Sequence, residues 1–178
     1  MTATLSGKTI AFLVANEGIE QVELTRPWDA VKEAGGTPKL VAPKVGKAQA
    51  FNHLDKADAF DVDITTQEAD PGECVVLPGG VANPDQFRMD DAAMRFLQEI
   101  AAADKPIAAI CHGPWTLVEA DLVRGKTITS WPSQTDIRNA GGRWVDQESV
   151  IDGKLLSSRK PDDLDAFCPK MLALFAGA

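Results

Sequence analysis

The chain has 178 residues, a mass of 19.0 kDa, a formal net charge of −8 and a pI near 4.7. Its apolar fraction of 44% and charged fraction of 25% are those of a globular protein, which excludes disordered, collagen-like and disulfide-scaffold classes. The acid excess excludes a broad nucleic-acid surface or an anionic-membrane surface, both of which need a basic stripe.

At about 150 residues per domain, residues 1–178 are expected to form one domain. A chain this long buries roughly 70% of its unfolded surface and can hold a core without cross-links. No apolar run reaches the roughly 18 residues of a membrane span. The N-terminal MTATLSGKTIAFLVA lacks the features of a signal peptide, so a cytoplasmic location is expected. The cysteines, Cys74, Cys111 and Cys168, are odd in number and have no CxxC spacing, so each thiol is read alone.

In chain order, Thr9–Ala15 is a short apolar run that reads as a strand. Val22–Ala34 has Val22, Trp28, Val31 and Ala34 on a helical stripe ended by Gly35-Gly36, with Pro27 tolerable in a first turn. Pro38–Ala42 is a second strand, and Val45–Phe51 with Ala59–Ile64 form a β excursion. Cys74–Leu77 is a buried strand stopped by Pro78-Gly79-Gly80. Asp90–Ala103 is an amphipathic helix, and Pro106–Ile110 is a strand running into Cys111-His112-Gly113-Pro114. Trp115–Ala120 is a short helix, Lys126–Thr129 a strand and Ser133–Ala140 a polar helix. Val150-Ile151 and Leu155–Ser158 flank the Asp152-Gly153 turn, and Asp162–Phe175 is the closing helix. Strands alternating with helices predict an α/β sandwich around a mostly parallel sheet. The site is then expected beyond the carboxyl ends of the strands, in the loops 16–23, 78–85 and 111–115.

The strongest chemical signal is AAICHGPW, in which a buried strand ends at Cys111 and a helix begins at once. That pattern resembles a nucleophile elbow, with a buried structural cysteine as the alternative. Amide groups at the helix start are expected to lower the thiol pKa and hold an anion. Gly113 lets backbone approach a substrate closely. Cys74, inside an apolar strand, and Cys168, in the last helix, read as structural.

His112 is one of only two histidines and the candidate base. Successive residues at a strand end point to opposite sides, so the backbone turn decides whether it meets Cys111. His53 reads as a surface or turn residue. Any one of Glu17, Glu20 and Glu23 could serve the thiol as acid or base, and the residues alone do not choose among them. Gly79-Gly80 supplies flexible backbone. There is no phosphate loop, dinucleotide fingerprint or metal-ligand spacing, so neither cofactor nor metal is expected. The tryptophans read as core, with Trp115 and Trp131 held open as borders of the cleft.

FLVANEGIEQVELTRPWDAVKEAGG, VVLPGG, KPIAAICHGPW and NAGGRWVDQESVIDGKLLSSRKPDDL together resemble the DJ-1/PfpI superfamily, most closely its PfpI-type branch. The resemblance implies a flavodoxin-like three-layer sandwich, class I glutamine amidotransferase-like, assembled as a homodimer or a larger ring. It implies Cys111 as nucleophile and Glu23 as the carboxyl that hydrogen-bonds the thiol. His112 would pair with an acid from the neighbouring subunit, which matches Asp85 here. Asp85 is one methylene shorter than the glutamate of branch members, and its loop is one residue longer. Gly79, Gly80 and Gly113 would supply backbone for an oxyanion. A stress-response enzyme acting on small 2-oxoaldehydes or their protein adducts is the first functional expectation. An intracellular cysteine peptidase is the second. A non-enzymatic redox sensor or chaperone-like protein using Cys111 is the third.

Overall fold

The computed structural model describes residues 4–70, 72, 74–132 and 134–178. Its strands are β1 (Thr9–Leu13), β2 (Glu17–Glu20), β3 (Thr37–Ala42), β4 (Lys47–Asn52), β5 (Asp55–Asp61), β6 (Ile64–Thr65), β7 (Cys74–Leu77), β8 (Ile107–Ile110), β9 (Thr127–Ile128), β10 (Arg143–Trp144), β11 (Ser149–Asp152) and β12 (Leu155–Ser158). Its helices are α1 (Gln21–Glu33), α2 (Ala82–Phe87), α3 (Asp91–Ala102), α4 (Pro114–Glu119), α5 (Gln134–Asn139) and α6 (Leu164–Ala176). A 3-10 turn at Pro161–Asp163 leads into α6.

The central sheet has seven strands in the order β11-β12-β8-β7-β1-β3-β6, parallel except for the β11–β12 hairpin. Period-two alternation sorts its side chains onto two faces. Ile10, Phe12, Val76, Ala108 and Ile110 pack on the face covered by α1 and α6, with Leu24, Val31, Phe167 and Met171. Ala11, Leu13, Val75, Leu77 and Ala109 pack on the other, with Phe96, Leu97 and Ile100 of α3, Leu117 of α4 and Ile137 of α5. These strands are buried on both faces, which is why they read as continuous apolar runs.

The molecule is thus an α/β sandwich with a mostly parallel central sheet. Strand order reverses at β1: the chain moves to β3 on one side, then returns to β7 and β8 on the other. This switch point opens a crevice above the strand ends.

The segments expected to be loops differ in part. Residues 16–23 contain β2, which pairs in parallel with β4, and β4 pairs antiparallel with β5. Residues 78–85 run into α2. Both depend on partners distant in sequence, so neither carries a strong local period. Pro27 lies well inside α1, beyond the first turn. Its missing N–H removes one bond to the Glu23 carbonyl, and the helix is held by its buried face instead. Of the expected helix at 133–140, Gln134–Asn139 is helical, and Ser133 lies outside the described residues.

Candidate active site

Strand β8 delivers Cys111 to the crevice with φ of +62°, a left-handed conformation that is strained for a residue with a side chain. The Cys111 N–H donates to the Ser158 carbonyl (3.1 Å), and its own carbonyl accepts from the Trp131 N–H (3.0 Å). These bonds fix the turn. Gly113 follows because a Cβ there would lie 2.6 Å from the Leu77 carbonyl oxygen.

The turn folds the His112 imidazole back onto the thiol, with Nδ1 3.2 Å from Sγ. Consecutive residues would diverge on a regular strand, but the positive φ at Cys111 brings them together. Trp115 stands edge-on to His112 with ring centroids 5.0 Å apart.

Glu23 is fully buried and its Oε2 accepts the Gly79 N–H at 2.9 Å. Its carboxyl also hydrogen-bonds the Cys111 thiol. Burial is the main reason its pKa is pushed up to about 8, and the Glu20 charge adds to the shift. Oε1 is buried with no hydrogen-bond partner among the described residues, a position that costs a charged carboxylate more than a neutral acid. Of the other two glutamates, Glu17 is exposed, and Glu20 accepts the His53 N–H at 3.0 Å.

The expectation of an acidified thiol is corrected. Burial raises the Cys111 pKa and the Glu23 charge raises it further, while N–H groups of Gly80 and His112 oppose them. Burial lowers the His112 pKa, so both shifts favour the neutral forms of thiol and imidazole.

The expected oxyanion glycines also divide. The Gly79 N–H is taken by Glu23 and the Gly113 N–H by the Ile110 carbonyl (2.9 Å), so neither is available to a substrate oxygen. Gly80 has its N–H toward the sulfur. Its φ of +87° and its close approach to the Gly18 carbonyl admit no side chain.

Asp85 projects from α2 at the cleft edge and pairs with Arg88 at 2.6 Å, rather than with His112 of its own chain. Arg88 lies 5.6 Å from the Trp115 ring.

Sequence reasoning passed over Asn83, whose buried amide donates to the Pro78 and Gly79 carbonyls and accepts from Ala15 N–H. It pins the Gly-Gly loop to the segment that follows β1, and only the turn-forming Asn-Pro pair hinted at it. It also passed over Lys160 and Asp162, which line the cleft with Trp131. His53 is exposed as expected and stands at the mouth of the same cleft.

The cleft has a volume of about 880 Å³ and is lined by Glu23, Cys111, His112 and Gly80 at its base. A buried thiol, a proton-bearing carboxyl, a neutral imidazole and two sulfur-directed amides define a cysteine-centred site on an α/β sandwich.

The sequence profile of the DJ-1/PfpI family matches residues 8–174, and the chain belongs to that family. It is 37% identical over 168 residues to Deglycase PH1704 of Pyrococcus horikoshii, covering 93% of this chain and 98% of that protein. It is 37% identical over 171 residues to Protein/nucleic acid deglycase 2 of Escherichia coli (94% and 97% covered). It is also 37% identical over 168 residues to YraA of Bacillus subtilis, which carries a provisional cysteine-protease name (94% and 98% covered). Among solved structures, a two-domain Anabaena variabilis protein with DJ-1/ThiJ/PfpI-like and ferritin-like domains superposes with a TM-score of 0.87 at 34% identity. The match covers 93% of this chain and 47% of that one. Schizosaccharomyces pombe DJ-1 shares the fold with a TM-score of 0.81 at 21% identity, covering 93% and 90%.

Proposed function

We propose that this protein is a cysteine-dependent enzyme that converts 2-oxoaldehydes, free or carried as amine adducts, into 2-hydroxy acids. The observation that carries this reading is the fully buried Glu23 carboxyl, its pKa raised by burial, hydrogen-bonded to the Cys111 thiol with the His112 imidazole 3.2 Å from the sulfur. A cysteine peptidase works best with a thiolate–imidazolium pair, and burial here disfavours both ions. An aldehyde is electrophilic enough to accept a thiol when an acid protonates its oxygen.

As the S–C bond forms, the thiol proton passes to His112 and Glu23 protonates the aldehyde oxygen, giving a hemithioacetal. The Glu23 carboxylate then removes the C1 proton while His112 protonates the C2 oxygen, giving an enediol. Glu23 returns the proton to C2, the C1 hydroxyl proton passes to His112, and a thioester results. Water attacks C1, its proton returns to Glu23, and the C–S bond breaks with His112 reprotonating the sulfur. The Gly80 and His112 N–H groups stabilise negative charge near the sulfur. For an aminocarbinol, the carbinol proton first moves to nitrogen, the C–N bond breaks and the amine leaves, delivering the aldehyde.

The relatives named deglycase agree with this reading, and the YraA name favours peptide hydrolysis as a second. We further propose a homodimer in which Asp85 serves the partner's cleft. The deciding experiment supplies methylglyoxal to purified protein, follows D- and L-lactate, and runs a fluorescent casein digest in parallel. Lactate that disappears in Cys111→Ala, without casein cleavage, is expected. Cysteine-dependent casein cleavage without lactate overturns the first reading.

A further inference from the structure

One arrangement in the cleft takes no part in the proton transfers above. Trp131 presents its indole at 51% exposure. Lys160 Nζ lies 5.6 Å from that ring centroid and 3.0 Å from Asp162 Oδ2. All three residues line the cleft that holds Cys111. An aromatic face beside a carboxylate is a recognition pair for an ammonium or guanidinium group. Here the chain's own lysine fills it.

Both walls of this clamp are anchored. Trp131 is tied by its backbone N–H to the Cys111 carbonyl, one hydrogen bond from the nucleophile. The turn carrying Lys160 and Asp162 is held by Arg159, which bonds Asp163 at 2.8 and 3.0 Å and Asp146 at 2.8 Å. The occupant is easier to move. Lys160 has a flexible four-carbon stem, and the side chains of Lys160 and Asp162 are 36% and 78% exposed. An ion pair and a cation–π contact that solvent reaches are each weak, so displacing the lysine costs little.

We propose that Trp131 and Asp162 form a carrier subsite for a cationic side chain, with Lys160 as its resting occupant. The cleft thereby ranks adducts by the charge of the group that carries them. Lysine- and arginine-borne adducts come first, neutral carriers next and phosphate-borne carriers last. Charge elsewhere acts in the same direction: the lining also includes Glu17, Glu20 and Asp85, and the whole chain carries a net charge of −8.

This inference deepens the proposed function, but its test is independent of turnover. Cys111 alkylation by iodoacetamide is followed by mass spectrometry in the presence of unreactive carriers. These are N-acetyl-lysine methylamide, N-acetyl-arginine methylamide, the neutral N-acetyl-norleucine methylamide and deoxyguanosine monophosphate. The two cationic carriers are expected to protect at roughly tenfold lower concentration than norleucine, an advantage that shrinks in high salt. Trp131→Leu and Asp162→Asn should each erase the preference, and Lys160→Met should sharpen it several-fold by vacating the clamp. Circular dichroism and the carrier-free labelling rate confirm that each variant is folded. Equal protection by all carriers, no protection by any, or a preference that survives both Trp131→Leu and Asp162→Asn overturns the subsite. Lactate formation alongside equal protection would reject the subsite and leave the proposed function standing. Cationic protection without lactate would do the reverse.

Discussion

Cys111 and Cys168 expose nearly the same fraction of their surface, 7% and 8%, and burial pushes both thiols above the ordinary range. Beside Cys168, on α6, the Arg26 guanidinium opposes the shift and the thiol stands at about 11. Beside Cys111, the Glu23 carboxyl adds to the shift. Cys111 differs in its surroundings: a proton-bearing carboxyl, an imidazole at 3.2 Å, two amides facing the sulfur and an open cleft above it. Reactivity at such a site comes from where protons can go during bond formation, rather than from a standing thiolate.

The largest expected effect breaks the pair apart. Cys111→Ala should reduce lactate formation by roughly 10⁴-fold or more, while Cys168→Ala should stay within about twofold. A comparable loss in both variants would mean that the contrast in surroundings does not govern function.

Removing the carboxyl tests the cause of the contrast. Glu23→Gln should lower turnover by about 10²–10⁴-fold, since a positioned acid/base is lost. The same change removes a negative neighbour, so the onset of Cys111 alkylation should move to lower pH, and that of Cys168 should not move. An unmoved Cys111 profile would show that the two groups are not coupled.

Glu23 also gives the site its pH dependence. Turnover should decline as pH rises through about 8, where the carboxyl loses the proton it donates. Its folded pKa lies above the ordinary 4.5, so the folded state binds more protons between those values. That contribution to stability is fully present below about pH 4.5 and is lost as pH rises through 8, by about 5 kcal/mol. Urea titrations at acid and alkaline pH should show this loss in the wild type and not in Glu23→Gln. Parallel pH dependences in the two proteins would refute the assignment.

The smallest effect concerns assembly. Asp85→Ala alone should lose activity, and co-refolding it with Cys111→Ala should restore about a quarter of wild-type activity. Half of randomly paired dimers are mixed, and each mixed dimer holds one native site of two. Sedimentation should confirm the mixed dimers. Confirmed mixing without recovery would separate Asp85 from the partner's cleft.

Short continuous apolar runs placed the central strands and helical stripes the long helices, because a strand buried on both faces is apolar throughout while a helix packed on a sheet is apolar along one side. AICHGPW marked Cys111 and its elbow by local pattern, since an apolar strand meeting His-Gly-Pro leaves the chain few ways to turn. Choosing Glu23 from among three glutamates took a family resemblance, because nothing local distinguishes them. Tertiary structure decided what depended on distance across the fold. Pairing of β2 with β4, the bond from the Ala15 N–H to the buried Asn83 amide, and the contact of Lys160 with Trp131 all join residues far apart in sequence. The protonation of the site was likewise outside the reach of the sequence. Desolvation depends on every atom packed around a group, and only the folded chain buries Glu23 against Cys111 deeply enough to push the pKa of both groups up.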